Sequence, residues 1–206
     1  MIIYKIQYRK PIPEKILCKA VSVLRKGGVI AHPTDTCYGF AVDIFNAKAI
    51  ARLYRLKKML VTKPVTIMAE SFSEAQRYGE FSLVSKNLAK KYWPGALTLI
   101  VPRKKTLPAF LNPNSDTIGI RVPDCPVSLA LMVAFGGPLC TTSANITTLP
   151  SPYGVSDMLG QFRQERVQPD LILDAGTIPF QPPSTIVKVM EGGVKVMREG
   201  AVKIIA

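Results

Sequence analysis

Histidine is nearly absent from this chain: there is one in 206 residues. The four cysteines, Cys18, Cys37, Cys125 and Cys140, stand far apart and form no Cys-x-x-Cys pair. Together these absences speak against a zinc site and against a disulfide framework, and they point to a reducing compartment, the cytoplasm. No metal ligand set is expected. Long apolar runs are missing as well. The longest, Val127 to Phe135 with one serine, falls well short of the roughly 20 residues a spanning helix needs. Met1-Ile2-Ile3-Tyr4-Lys5 lacks the pattern of a signal peptide, so no membrane partner is expected. Acidic residues are scarce, 14 against 27 lysines and arginines.

That imbalance leaves a net charge of +13, a field that favours polyanions, either nucleotide phosphates or RNA. The cations are dispersed in short groups (Lys57-Lys58 with Lys63, Lys90-Lys91, Arg103-Lys104-Lys105) and no RNA-binding motif accompanies them, so plain surface solvation stays equally open. With 48% hydrophobic residues the chain can bury a sizeable core. Its length fits one domain, expected over residues 1–206.

Ile2 to Ile6 reads as a first strand. Pro13 to Lys26 reads as a helix with Ile16, Leu17, Ala20, Val21 and Leu24 on one stripe, closed by Gly27-Gly28. Val29 to Ala31 enters the sheet, and Asn46 caps a second helix that buries Ile50, Leu53 and Tyr54. Strands follow at Pro64–Ala69, Ala96–Val101 and Thr117–Val122, with helical material at Ser73–Tyr78 and Ser85–Tyr92. Pro126 to Phe135 is apolar all round and predicts a buried helix. Leu171–Leu173, Thr185–Met190 and Val194–Met197 complete the strands, while Ile146–Gly154 and Gln181–Ser184 read as loops. Helices and strands alternate early and strands cluster late, so the expected fold is α/β, a twisted mixed sheet flanked by helices with a basic concave ligand site.

Two segments concentrate polar chemistry at strand ends, where open α/β sheets bind ligands. They are His32-Pro33-Thr34-Asp35-Thr36-Cys37-Tyr38-Gly39 and Leu139-Cys140-Thr141-Thr142-Ser143-Ala144-Asn145. Thr34 and Thr36 beside Asp35 also fit a turn whose side chains satisfy local backbone groups. His32 and Cys37 lack a third group to orient them as a nucleophile pair. Lys57, seven residues after Ile50, continues the buried stripe of its helix, so its ammonium needs a partner; a triphosphate would serve, and so would snorkelling to the surface. Thr117 and Arg121, four apart on a strand, point to one face, and Arg121 needs a carboxylate from the protein or from a ligand. Thr141, Ser143 and Asn145 share a side if the strand runs through them.

These segments, with Lys57 and Ile118-Gly119-Ile120-Arg121-Val122-Pro123, resemble the YrdC family in order and spacing from Val29 to Gly200. The resemblance implies an enzyme, a nucleotidyltransferase that makes threonylcarbamoyl-AMP from L-threonine, bicarbonate and ATP with Mg2+, for a downstream tRNA threonylcarbamoyl transferase. It implies catalytic roles for Lys57, Ser143 and Asn145. It assigns ATP to Lys57, Thr117, Ser143, Asn145, Ser151 and Arg198, and threonine to Thr34, Arg121 and Thr141. The chain departs from the family at two positions. Met59 stands where the Lys-x-Arg signature has arginine, and Met68 where many relatives have a substrate-touching histidine. A catalytically weakened module binding double-stranded RNA or tRNA, and an enzyme forming a carbamoyl-adenylate from another donor, are the alternatives.

Overall fold

The computed structural model describes residues 1–191 and 193–204. Its chain order is β1 (Ile2–Lys5), α1 (Glu14–Arg25), β2 (Ile30–Pro33), β3 (Tyr38–Asp43), α2 (Ala47–Leu56), β4 (Thr66–Met68), α3 (Phe72–Ala75), α4 (Leu83–Tyr92), β5 (Leu97–Pro102), β6 (Thr117–Arg121), α5 (Pro126–Phe135), β7 (Leu139–Ser143), α6 (Val155–Phe162), β8 (Leu171–Asp174), β9 (Thr185–Met190) and β10 (Gly193–Arg198). All ten strands join one mixed sheet in the order β1-β8-β2-β3-β7-β4-β6-β5-β9-β10. The expected α/β class and mixed sheet are therefore what the chain forms.

Local signals account for most boundaries. Asn46 accepts the amide of Ala49 at 3.1 Å and starts α2; Ser71 and Ser82 cap α3 and α4 in the same way. Gly27, at φ +78°, ends α1 in the left-handed conformation that a side chain disfavours. Helix α5 differs from its expected all-round burial. Val127, Leu131 and Met132 are buried, but Val133 is 63% exposed. The helix covers the sheet beside α1 on one side only, and apolar residues on its outer side face water. Two elements are not evident in the sequence pattern described above. Strand β3 is buried on both faces, so it carries no apolar–polar alternation. Helix α6 does carry a signal, since Val155, Met158, Leu159 and Phe162 recur at helical spacing, and Asp157 accepts the Gly154 amide at 3.0 Å.

A larger hydrophobic cluster, including Phe40, Leu53, Leu97, Ile120 and Phe162, lies on one side of the sheet. A smaller one packs α1 and α5, through Leu24, Leu131 and Met132, on the other. Strand β7 sits centrally, antiparallel to both β3 and β4. Strand β4 in turn runs parallel to β6, with Met68 opposite Arg121. These pairings bring the two polar loops of the sequence to one cleft. None of the described helices is long and apolar enough to cross a membrane.

Candidate active site

The cleft has a volume of about 280 Å³. Thr34, Lys57, Arg121, Thr141, Ser143, Asn145, Ser151 and Arg198 all line it, so eight of the nine expected site residues converge. Thr117 is the exception. It opens β6 opposite Pro102, and its hydroxyl pairs with that of Ser115 at 3.1 Å rather than lining the cleft. Among the described residues four cations, Lys57, Lys63, Arg121 and Arg198, line the cleft and no carboxylate does. That sign bias suits an anionic ligand.

Lys57 closes the C-terminus of α2 and is 3% exposed. Its ammonium donates to the carbonyl oxygens of Ser143 and Asn145 and, at 3.1 Å, to Asn145 Oδ1. An ammonium has three N–H groups, so all three are engaged and what Lys57 offers a ligand is charge. With carbonyl dipoles as partners and no carboxylate, burial pushes its pKa down to about 8. Ser143 Oγ donates to Asn145 Oδ1, and Asn145 Nδ2 holds Ile146 and Leu149. This wall is a lysine-pinned loop.

Arg121 is satisfied differently. Its Nη2 meets Asp35 Oδ1 at 2.6 Å in a buried ion pair, Nη1 donates to Thr36 Oγ1 at 3.2 Å, and Nε donates to Gly95 O at 3.0 Å. The carboxylate that the sequence demanded is thus internal. Thr34 adopts the turn role: its hydroxyl donates to Cys37 O at 2.7 Å and accepts the Thr36 and Cys37 amides. A Cβ at Gly39 would press on this wall, standing 3.3 Å from the Thr142 carbonyl oxygen.

Arg198 comes from the outer strand β10 and donates to the carbonyl and hydroxyl of Ser184. The chain passes close enough to Pro183 there that a Cβ at Gly200 would collide with its carbonyl oxygen. Ser184 in turn meets Thr98 Oγ1 at 2.9 Å. Thr36 of the first polar segment lines the cleft too, and so do Thr66, Thr98, Thr147 and Ser184, which nothing in the sequence assigns to it. They are isolated hydroxyls from separate segments, and only the strand pairing unites them. Met59 and Met68 are both buried in the cleft wall. Of the lysines near Met59, Lys63 lines the cleft, whereas Lys58 reaches Glu165 at 2.7 Å.

His32 and Cys37 make no pair. His32 is fully buried with Nδ1 beside Pro33 O, and burial lowers its pKa to about 4, so it is neutral at pH 7. Cys37 lines the cleft, but burial raises its thiol pKa. Neither is an activated nucleophile.

Hydroxyls and cations without carboxylate partners, gathered at the ends of an α/β sheet, are the kind of lining that nucleotide- and phosphate-binding proteins present. The comparisons narrow this class. The model of the Sua5/YciO/YrdC family, described as telomere recombination, matches residues 22–200, and the chain belongs to that family. The threonylcarbamoyl-AMP synthase of Mus musculus is 36% identical over 159 residues, 77% of this chain and 55% of the mouse protein. The chain therefore spans about half the length of that relative. Among solved structures, Pyrococcus abyssi Sua5 complexed with L-threonine matches with a TM-score of 0.88 at 27% identity, covering 97% of this chain and 58% of the other. E. coli YciO matches with a TM-score of 0.87 at 29% identity, covering 98% of each.

Proposed function

We propose that the protein is a threonylcarbamoyl-AMP synthase. The observation that carries this reading is the cleft itself, where three cations without carboxylates stand beside an arginine held in a fixed fork. A polyanion and an amino-acid carboxylate are the ligands such a set accepts. Support comes from the relatives named for this activity and from the Sua5 complex with L-threonine.

In this reading the amine of threonine and bicarbonate give a carbamate. A carbamate oxygen then attacks the α-phosphorus of ATP, the bond to the β-phosphate bridging oxygen breaks, and pyrophosphate leaves. Such a transfer depends on positioning and charge neutralisation rather than on a covalent nucleophile. Lys57, Lys63 and Arg198 would balance phosphate charge. Ser143, Asn145 and Ser151 would hold the nucleotide; Thr117 would do so only with movement of β6. Arg121, Thr34 and Thr141 would hold threonine. Mg2+ would arrive with ATP, carried by the phosphates and water, since the cleft wall holds no carboxylate among the described residues. The adenylate would pass to a separate transferase acting on tRNA, in the cytoplasm.

Labelled bicarbonate, L-threonine and ATP, followed by separation of products, test the reading. Pyrophosphate release should require both threonine and bicarbonate. ATP turnover that is equal without threonine sinks the synthase reading in favour of a generic ATPase or a carbamoyl-adenylate enzyme. The net charge of +13 favours one second reading, RNA binding. Affinity for duplex RNA that falls steeply with salt, in the absence of adenylate synthesis, would put that reading first.

A further inference from the structure

Of the four cations lining the cleft, only Arg121 carries a carboxylate; Lys57, Lys63 and Arg198 form no ion pair among the described residues. Asp35 does not itself line the cleft. Its side chain, 7% exposed, stands behind the guanidinium. One oxygen accepts Arg121 Nη2 at 2.6 Å and the other accepts the Asp124 amide at 3.2 Å. Asp124 is steadied from outside by Arg9 at 2.9 Å. Arg121 uses three N–H groups on Asp35, Thr36 and Gly95, and a guanidinium has five. Two N–H groups remain on a cation whose charge is already cancelled.

We propose that Asp35 is a specificity-determining residue that sorts the two substrates by net charge. This rests on the synthase reading. A zwitterionic amino acid carries no net charge, and its carboxylate can take the two free N–H groups without a large penalty from the carboxylate behind them. A phosphate group brings more negative charge to the same spot and meets Asp35. At an effective dielectric of about 20, one like charge at about 5 Å weakens binding on the order of a hundredfold. Phosphates are thereby driven to Lys57, Lys63 and Arg198, which have nothing to cancel. Without Asp35, Arg121 would be a fourth phosphate site and ATP would obstruct the amino-acid position.

Inorganic phosphate is the probe, used on the intact protein with threonine and ATP varied in turn. In the wild type, phosphate should compete with ATP and not with threonine. In Asp35→Asn it should compete with threonine as well, with an inhibition constant at least about tenfold lower. Equilibrium titration should show that this variant gains a phosphate site, and that Arg121→Gln added to it removes the site. The proposal is overturned if phosphate already competes with threonine in the wild type. It is equally overturned if Asp35→Asn merely loses threonine binding with no gain for phosphate, since that is the behaviour of a prop. Should the variant fail to fold, the wild-type competition pattern decides alone. A wild type that binds no threonine in a direct titration counts against the synthase reading instead, and the phosphate titration of Asp35→Asn still tests the charge cancellation.

Discussion

Lys57 and Arg121 are both buried cations on the wall of one cleft, yet the protein satisfies them in opposite ways. Arg121 has a carboxylate at 2.6 Å; Lys57 has only two carbonyls and an amide oxygen. The pairing fixes Arg121 as a geometrically set fork. The dipoles leave Lys57 a cation held at the edge of losing its proton. One wall is built for shape and the other for charge. Substitutions that strand a partner on one wall should therefore behave differently from those on the other.

The largest effect is expected from Arg121→Ala, which leaves Asp35 buried and unpaired. Breaking a buried pair from one side costs about 3–5 kcal/mol. Chemical denaturation should show a loss of that size together with loss of threonine binding. A stability loss below about 1 kcal/mol would mean that Asp35 finds another partner and that the two walls are alike. Lys57→Met strands no charge but leaves the carbonyls of Ser143 and Asn145 without their donor, so its stability loss should be smaller, about 1–3 kcal/mol. Its ATP turnover should nonetheless fall about a hundredfold, because the loop at Ser143–Asn145 loses its pin as well as its charge. Unfolding midpoints and turnover on the same two variants make the comparison direct.

Met59→Arg adds a second fixed cation to the Lys57 wall. A hydrogen bond from a charged group contributes roughly 1.5–3 kcal/mol, so ATP affinity or turnover should rise at least about tenfold. A decrease would show that the site is built around methionine. The smallest effect is on pH. Because the Lys57 pKa is lowered to about 8, the ammonium is lost on going upward through that value, and ATP affinity should fall about tenfold between pH 7 and pH 9. Threonine binding, resting on an arginine, should not follow. The sign for stability is the reverse. The unfolded lysine keeps its proton to about 10.4, so lowering the folded value makes the fold relatively more stable as pH rises across that interval. Lys57→Met should flatten both slopes.

Much of this site is legible in the sequence because its chemistry is clustered. The segments His32–Gly39 and Leu139–Asn145 pack hydroxyls at strand ends, and the stripe Ile50–Lys57 places a lysine where it has to be buried. The need of Arg121 for a carboxylate is also readable. That Asp35 supplies it is not, because the two lie 86 positions apart and meet only through strand pairing. Thr98 and Ser184 escape for the same reason: each is an ordinary residue until β5 and β9 align in parallel. Strand β3 is invisible to periodicity because full burial erases alternation. Helix α5 misleads because composition sets hydrophobicity but not which side of a helix the sheet covers.

The position of β10 has a consequence for exchange kinetics. Strand β7, which carries Thr141 and Ser143, is bonded on both sides, while β10, which ends at Arg198, is an edge strand that among the described residues pairs only with β9, through an irregular register. Opening β10 exposes little apolar surface, so its amides should exchange with solvent by local fraying, well below the free energy of global unfolding that governs β7. The cleft is thus assembled from a half bonded on both sides and a half carried by an edge strand, where local opening is expected first. A ligand held by Arg198 would protect β10 amides in proportion to its occupancy. On the proposed function, the outer strand would serve as a built-in reporter of nucleotide occupancy.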